Sequence, residues 1–396
     1  MATGLPEEMM INILSCLPVK SILRFRCVCK TWRDLFKSPD FTRMHLNRSK
    51  ENNHLNFMLS DGKEMYFVHN DESSLTESFD KAIQVHHPLK SSETSVQILA
   101  FCDGLFCLDK GYSKTLICLW NPCTGEYKEI PAPPPPIEFP NHLLAQTREF
   151  RQMRIGEHRT SYGFGYDCNI KDYKLVRIVD LISHGSEVQV YTLGSNAWRS
   201  IANIPYNIAY QEPHGILVNT TLHWSARKSS TQLHSIISFH IESESFEEVP
   251  LLQAENFDDT HQISLCVSGR CLCILTHHHK VRTDVWVMKE YGVRHSWTKL
   301  FSITQQTVLD SFYLMPVLFI KNDVVLLDQN YHSGLLLYDP KHENDIIDFD
   351  LQMLRITPYV GCLVSLNSGT YVGQGKREEV IEQKMMLRRI SKRRRL

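Results

Sequence analysis

The chain has 396 residues, 42% of them hydrophobic and 22% charged, which suits a small module followed by one large domain. Its net charge of −1 is uneven, since residues 1–50 carry +5 and residues 376–396 carry +6, which leaves −12 for residues 51–375. This acidic centre argues against a nucleic-acid partner and favours a moderately basic protein partner. No apolar run reaches the length of a membrane span and no signal core precedes Pro6, so we expect a cytoplasmic or nuclear protein.

The N-terminal residues, 5–46, are predicted to form three or four short helices. Pro6 stands at a first helical position, and apolar residues then recur at helical spacing until a second proline ends the helix. A second helix is predicted over Val19–Phe25 and a third over Cys27–Phe36. Ser38 is the predicted N-cap of a last short helix, because a proline follows it.

This helical unit has more apolar side chains than so short a segment can bury by itself. The surplus can pack on the rest of the chain, as small apolar subdomains often do, or it can face a partner protein. The composition of the segment leaves both possibilities open.

The same stretch resembles the F-box of plant F-box proteins. The resemblance rests on LP-E-E, followed by I--IL--LP-KS-LRFRCVCK-WR-L and a short helix ending in HL. It implies a module that docks on the Skp-type adaptor of SCF ubiquitin ligases and, through that adaptor, on a cullin. The side chains expected to contact the adaptor are Leu5, Pro6, Ile11, Leu14, Leu17, Pro18, Val19, Leu23, Val28 and Trp32.

The residues from about 54 to 372 form short apolar runs separated by Gly, Asn, Asp and Pro, which is typical of β-strands. A repeat is visible in these runs, in which an aromatic residue is followed by a polar turn and a second aromatic. Three copies are clear, Trp120 to Tyr127, Tyr191 to Trp198 and Phe239 to Phe246, and looser copies begin at Trp286 and Tyr338. A second strand pattern precedes each copy, as in DGLFCLD and GRCLCIL.

A period near fifty residues built only of strands is typical of kelch-like β-propeller blades. Five blades can be read directly, and a sixth is expected from the hairpin near Asn56–Val68 and the last strands, Tyr359–Val372, which would close the ring. The predicted fold is a small all-α module (1–50), a large all-β propeller of about six blades (51–375) and a basic, disordered tail (376–396). A large β-sandwich is the alternative.

The repeats are also similar to the F-box-associated domain of plant F-box proteins, with the closest likeness to the S-locus F-box subgroup. The motifs that carry this similarity include GLFCL, LWNP-TGEYK-IP, YGFGYD---DYKLVRIV and DVWVMKEYGV--SWTKL, and they span roughly residues 100–305. The kelch signature is only partly kept, because no Gly-Gly pair precedes the aromatic strands.

Residue patterns with catalytic or metal-binding chemistry are few. Cys271 and Cys273 with His277–His279 could form a metal site, but a strand with a polar end explains the same residues, and we predict no metal or cofactor. Phosphate-binding and hydrolase motifs do not occur, so we do not expect an enzyme. The glycines at 163 and 165 are expected to allow a tight bend or close strand packing. The twelve cysteines are expected to be free and mostly buried.

Two low-complexity segments have two interpretations each. Pro133–Pro136 could dock in an SH3-like groove, but a solvent-exposed loop in polyproline II conformation is the expected role. The run RRISKRRRL, residues 388–396, could be a nuclear import signal or a solvated tail.

The two resemblances together imply the substrate-recognition subunit of an SCF-type E3 ubiquitin ligase, in which the β domain recruits a target protein for ubiquitination and proteasomal degradation. A kelch-like binding protein without a ligase is the alternative, and a receptor for a secreted ribonuclease is implied by the S-locus likeness. No motif in the sequence identifies the target protein, because the binding specificity of a propeller resides in its loops. Deleting residues 1–46 is expected to abolish adaptor binding and leave a soluble β domain.

Overall fold

The computed structural model describes residues 6–52, 55–69, 81–89, 95–110, 116–136, 160–181, 185–208, 214–252, 262–278, 281–304, 314–319, 325–329, 334–341, 346–349 and 355–366. Four helices lie at the start of the described chain: α1 (Glu7–Leu14), α2 (Val19–Phe25), α3 (Lys30–Leu35) and α4 (Pro39–Glu51). We call residues 6–52 the helical module. No helix among the described residues is long and apolar enough to cross a membrane.

Local sequence explains where these helices begin and end. Proline occupies the N-cap position before both α1 and α2, and the predicted bounds of α2 are confirmed. The third helix begins later than predicted, because the sulfur of Cys29 accepts a hydrogen bond from the backbone N–H of Trp32 and so caps it. Ser38 caps α4 as expected, with its hydroxyl 3.2 Å from the backbone nitrogen of Phe41, and α4 extends to Glu51.

The described strands form six antiparallel sheets, which we call blades 1 to 6 in chain order. Blade 1 holds β1 (Leu55–Ser60), β2 (Met65–His69), β3 (Ile83–Val85) and, from the end of the chain, β25 (Arg355–Val360). Blade 2 holds β4 (Val96–Cys102), β5 (Leu105–Lys110), β6 (Ile117–Trp120) and β7 (Tyr127–Ile130). Blade 3 holds β8 (Thr160–Asp167), β9 (Asp172–Asp180), β10 (Ser186–Thr192) and β11 (Ala197–Ile204).

The remaining strands make up the other three blades. Blade 4 holds β12 (Tyr206–Ile208), β13 (Ile216–Val218), β14 (Thr221–Lys228), β15 (His234–His240) and β16 (Ser245–Val249). Blade 5 holds β17 (Gln262–Ser268), β18 (Cys271–His278), β19 (Arg282–Met288) and β20 (Trp297–Thr304). Blade 6 holds β21 (Leu314–Phe319), β22 (Val325–Gln329), β23 (Gly334–Tyr338) and β24 (Ile346–Phe349). The propeller of about six blades predicted from the sequence is therefore confirmed.

The ring is closed by strands from both ends of the β domain. Strand β1 pairs with β2 on one side and with β25 on the other, so that Asn56 lies opposite Tyr359 and Phe57 opposite Pro358. One edge strand of each blade contacts that of the neighbouring blade, including β4 with β8, β17 with β21 and β21 with β25. The predicted sixth blade, shared between the two ends of the β domain, is present, but its closing strand is Arg355–Val360 and so begins earlier than the predicted Tyr359–Val372, of which residues 367–372 lie outside the described residues.

The aromatic repeat in the sequence reflects cross-strand pairing within each blade. Trp120 lies opposite Tyr127, and Tyr191 lies opposite Trp198, because a tight turn joins the third and fourth strands of a blade. The rings of Phe239 and Phe246 pair in the same way, with centroids 4.9 Å apart. The looser copy differs, since Trp297 lies opposite Met288 rather than Trp286.

Close packing between blades requires glycine at the positions noted in the sequence. A Cβ atom at Gly163 would lie 2.7 Å from the ring of Trp224, and one at Gly165 would lie 2.0 Å from Ile241. Both contacts join β8 of blade 3 to blade 4. The predicted role of these glycines in close packing is confirmed.

Candidate adaptor-binding surface and its junction with the propeller

The inner faces of the four helices form one apolar cluster. Leu14, Ile22, Phe36 and Phe41 are each at most 4% exposed, and the chain adds Leu363 from beyond the last described strand of the propeller. Partly buried side chains such as Trp32 pack around this cluster. The core of the helical module thus includes a residue that lies more than three hundred positions away in the sequence.

The outer faces of the helices leave large apolar side chains in solvent. Met9 and Ile13 are 56% and 54% exposed, and they share one face of α1 because they are four residues apart. Val28, in the turn between α2 and α3, is 63% exposed. A surface that leaves such side chains unburied is a candidate for contact with another protein.

The predicted adaptor-contacting residues divide into groups by exposure. Pro6, Pro18 and Val28 are exposed, Leu14 is buried in the core, and the half-buried residues are Ile11, Leu17, Val19, Leu23 and Trp32. Leu5 lies outside the described residues. Met9 and Ile13 are exposed apolar residues that were absent from the predicted set, although their spacing on α1 and their position beside Pro6 are visible in the sequence.

A buried carboxylate joins the helical module to the propeller. Asp103, in the turn between β4 and β5, is 9% exposed and forms ion pairs with Arg43 and Lys50 of α4. The Nη1 atom of Arg43 lies 2.6 Å from Oδ2 of Asp103, and the hydroxyl of Tyr173 donates to the same oxygen at 3.2 Å. The guanidinium of Arg43 also lies 4.0 Å from the ring centroid of Tyr166.

The charge of Asp103 is maintained by these partners. Burial by itself raises the pKa of a carboxyl group, but Lys50 and then Arg43 outweigh it, so the pKa of Asp103 lies below its ordinary value. The group is therefore ionised at neutral pH and holds two cations of α4 against blade 2.

Apolar contacts reinforce the junction in both directions. Leu46 of α4 is fully buried in the propeller cluster that contains Leu99 and Leu105. In the opposite direction, Leu363, which lies in the segment after β25, is buried in the helical module. The side-chain amide of Asn121 donates to the carbonyl of Val364 at 2.8 Å and so holds that segment against blade 2. Part of the apolar surplus therefore packs on the rest of the chain, and the part that is exposed is the part that a partner protein is predicted to cover.

The cysteine and histidine residues considered as a metal site have other partners. Cys273 is buried in the strand, and the ring of His277 lies 3.2 Å from the hydroxyl of Ser264 and 3.1 Å from that of Thr283. His278 lies 3.0 Å from a carboxylate oxygen of Asp284, and His279 falls outside the described residues. Within the described part of the chain, no group of three His, Cys, Asp or Glu residues could hold a metal ion.

Comparison with known proteins agrees with the fold. Residues 3–44 match the F-box domain and residues 55–366 match the F-box associated beta propeller domain. The chain belongs to the F-box proteins that carry an F-box associated β-propeller domain.

Curated relatives of similar length are found in Arabidopsis thaliana. F-box protein CPR1 is 28% identical, over 98% of this chain and 96% of its own length. F-box/kelch-repeat protein At3g23880 is 32% identical, over 85% of this chain and 88% of its own length. F-box protein At3g07870 is 28% identical, over 76% of this chain and 72% of its own length. The family resemblance inferred from the sequence is thereby confirmed.

Proposed function

We propose that this chain is the substrate-recognition subunit of an SCF-type E3 ubiquitin ligase. Its helical module docks on a Skp-type adaptor and through it on a cullin, and its propeller recruits a target protein. The chain forms no covalent intermediate with ubiquitin and acts by raising the effective concentration of target near the charged conjugating enzyme.

The observation that supports adaptor docking most directly is the exposure of Met9, Ile13 and Val28 on a module whose other large apolar side chains are buried or half-buried. Exposed apolar side chains in a compact module are stabilised when a partner covers them, and buried anchors of this kind dominate protein interfaces.

The target surface is proposed to lie at the end of the propeller away from the helices. At the helical end, two residues join β4 to β5 in blade 2 (103–104), β13 to β14 in blade 4 (219–220) and β17 to β18 in blade 5 (269–270). Because antiparallel strands alternate in direction, the last strands of blades 2, 4 and 5 finish at the opposite end, and the chain there is longer before the next blade begins, from Ile130 to Thr160, from Val249 to Gln262 and from Thr304 to Leu314. Longer connections offer more variable surface for recognition. The acidic charge of residues 51–375 favours a basic target.

The experiment that tests adaptor docking replaces Val28 by Asp in the full chain and measures the Kd for a purified plant Skp-type adaptor. Val281→Asp is the matched control, since Val281 is 62% exposed in a turn of blade 5. We expect Val28→Asp to weaken binding at least tenfold and Val281→Asp to leave it unchanged.

If neither the native chain nor the Val281→Asp control bound the adaptor, that result would contradict the ligase assignment. That result would favour the alternative of a kelch-like binding protein without a ligase. A target that proves to be a secreted ribonuclease would assign the S-locus type of recognition. Location in the cytoplasm or nucleus is part of the same proposal, since the adaptor and cullin act there.

A further inference from the structure

A short proline segment is held against blade 3 by hydrogen bonds to its carbonyl groups. We define the proline segment as residues 131–136, Pro-Ala-Pro-Pro-Pro-Pro, which follow directly after β7 of blade 2. The indole nitrogen of Trp198 donates to the carbonyl of Pro131 at 2.8 Å. Arg177 Nη1 and Gln189 Nε2 donate to the carbonyl of Pro134 at 3.1 and 3.3 Å. The segment is partly exposed, as expected of a surface loop, but its carbonyl groups are also bound by side chains of blade 3.

The spacing of the two accepting carbonyls matches a polyproline II helix. Four consecutive prolines restrict the chain to this extended form, which has three residues per turn and no internal hydrogen bonds. Carbonyls three residues apart, as in Pro131 and Pro134, therefore point to the same side of the segment. Backbone carbonyls left free in this way are the groups by which proline-rich peptides are recognised.

The donors of the Pro134 carbonyl belong to a buried polar row on the face of blade 3 that faces blade 2. Arg177 of β9 lies opposite Gln189 of β10, and their exposed fractions are 8% and 0%. Arg177 donates to the side-chain oxygen of Gln189 at 2.7 Å, and Gln189 donates to Glu187 at 2.9 Å. The Nε atom of Arg177 is buried without a hydrogen-bond partner among the described residues. Such buried polar groups are costly unless they are satisfied.

The other blades show that this polar row is a departure from the repeat. Trp120, Tyr191, Phe239 and Met288 are equivalent residues, since they lie opposite Tyr127, Trp198, Phe246 and Trp297 on the next strand. The pair compared in each blade is the residue two positions before this one and its partner on the preceding strand. In blades 2, 4 and 5 that pair is Leu108 with Cys118, Trp224 with Ile237 and Ile274 with Trp286. All of these are apolar side chains of the inter-blade clusters. Only blade 3 of these four carries a charged and an amide side chain there.

The tryptophan contact, in contrast, recurs in the propeller. Trp297, at the start of β20 in blade 5, donates its indole N–H to the carbonyl of Pro250 at 2.8 Å. Pro250 directly follows β16, just as Pro131 follows β7. In blade 5 the next residues, Leu251 and Leu252, pack on an apolar cluster. The tryptophan contact is thus a general link between blades, and Arg177 with Gln189 is the specific addition in blade 3.

We propose that the groove between blades 2 and 3 is a binding site for proline-rich segments, occupied in this structure by the chain's own residues 131–136. When the proline segment leaves, Arg177, Gln189 and Trp198 present donors for the carbonyls of a polyproline II segment of a partner protein. Pro131, Ala132 and Pro135 are exposed, so the segment lies on the surface and can be exchanged while the strands of blade 3 remain paired. The site does not depend on adaptor docking.

The test uses a full-length variant in which Pro133→Gly, Pro134→Ser, Pro135→Gly and Pro136→Ser empty the groove and Pro131 is kept. The probes are two synthetic capped peptides, PAPPPP and PAGSGS, and the measurement is isothermal titration calorimetry. We expect PAPPPP to bind the variant at least tenfold more tightly than the native chain, because a tethered segment competes at high effective concentration. PAGSGS is expected to bind neither protein.

A second substitution locates the site. In the variant, Gln189→Leu is expected to weaken PAPPPP binding at least tenfold, whereas Ile237→Leu, at the equivalent position of blade 4, is expected to leave it unchanged. Equal binding of PAPPPP to the variant and the native chain, or equal binding of the two peptides, would overturn the proposal. If the fourfold variant does not fold, Pro134→Gly is tested in the same way. If neither the fourfold variant nor Pro134→Gly folds, the proline segment is a fixed part of the propeller. That result would also overturn the proposal that a partner's segment can replace it.

Discussion

Arg43 on α4 and Asp103 in blade 2 form an ion pair across the junction of the two parts of the chain, with 2.6 Å between Nη1 and Oδ2. The carboxylate of Asp103 is buried, whereas Arg43 keeps about a third of its side chain in solvent. Loss of the carboxylate is therefore expected to cost more stability than loss of the guanidinium. Since Lys50 approaches the other oxygen, removal of the carboxylate leaves two cations facing each other.

The substitution Asp103→Asn is therefore expected to lower the free energy of unfolding by about 1–3 kcal/mol, because two charge-assisted hydrogen bonds are lost. Asparagine keeps the size of the side chain and tolerates the positive φ of 54° at this position. Urea unfolding of the full chain at neutral pH measures the effect. Asp34→Asn is the control, since Asp34 forms only an exposed pair with Arg33 and should change stability by less than about 0.5 kcal/mol. Equal effects of the two substitutions would show that the junction pair does not stabilise the fold.

Leu363 is expected to be as important to the helical module as its own residues. Leu363→Ala leaves a cavity beside Leu14 and Phe41 and should cost about 2–4 kcal/mol of stability. Thermal unfolding together with the Kd for the adaptor measures the effect, and the adaptor affinity should fall as the module loosens. Leu233→Ala, at a site that is 49% exposed, is the control and should change neither quantity. Unchanged stability of Leu363→Ala would contradict the shared core.

Trp32 and Val28 are expected to act on the adaptor by different routes. The ring of Trp32 packs against Phe25 and Phe36, with centroids 5.6 and 6.1 Å apart, so Trp32→Ala should reduce both stability and adaptor binding. A loss of about 3 kcal/mol of stability is expected for so large a truncation. Val28→Ala, at an exposed position, should weaken adaptor binding with a change in stability below about 0.5 kcal/mol. Parallel urea unfolding and adaptor titration of both variants separate the two routes, and a large loss of stability in Val28→Ala would contradict this division.

Acid is expected to destabilise the propeller through three histidines, His214, His223 and His277, the first of which also has its pKa lowered to about 4 by burial. Burial lowers the pKa of His223 and of His277 to about 4, from 6.5 for an unhindered imidazole. The folded state binds these protons less tightly than the unfolded chain, so their stabilising effect is complete above pH 6.5 and is lost as the pH falls from 6.5 towards 4. Melting temperatures at several values between pH 7.5 and 4.5 should fall steadily. His277→Gln should flatten this dependence and exposed His295→Gln should not, whereas a melting temperature independent of pH would refute the assignment.

Deletion of residues 1–46 is a less clean experiment than the sequence suggested. The cut falls within α4, removes the buried Leu46 and Arg43, and exposes Leu363 and Asp103 on the propeller. The expectation that a soluble β domain remains does not fit this junction. Substitutions on the exposed surface, such as Val28→Asp, separate adaptor binding from folding more clearly.

Most of the architecture could be predicted because it is encoded locally. Prolines and a serine cap mark the starts of α1, α2 and α4, and the aromatic pairs at Tyr191 and Phe239 mark the turns before the last strands of blades 3 and 4. The pairing of β1 with β25, which closes the ring, could be inferred because the sequence showed five blades and left one unassigned strand segment at each end of the β domain.

The partition of the helical module into buried and exposed residues could not be predicted in the same way. A helical period shows that one face is apolar, but it does not show which partner covers that face. Leu14 shares a cluster with Leu363 only through the fold of the whole propeller, whereas Met9 and Ile13 stay exposed among the described residues. Arg177 and Gln189 were missed for a related reason, since a single polar residue in an apolar strand gives no indication of the segment that it contacts.

The pairing of β1 with β25 and the burial of Leu363 also set an order on biosynthesis. A ribosome releases the N-terminal helices first, but their core lacks Leu363 and the ring lacks its closing strand until nearly the whole chain has emerged. A chain cut short anywhere in the propeller would complete neither part. The fold thereby couples the completion of the helical module to the completion of the propeller, so that truncated translation products would lack a complete helical module.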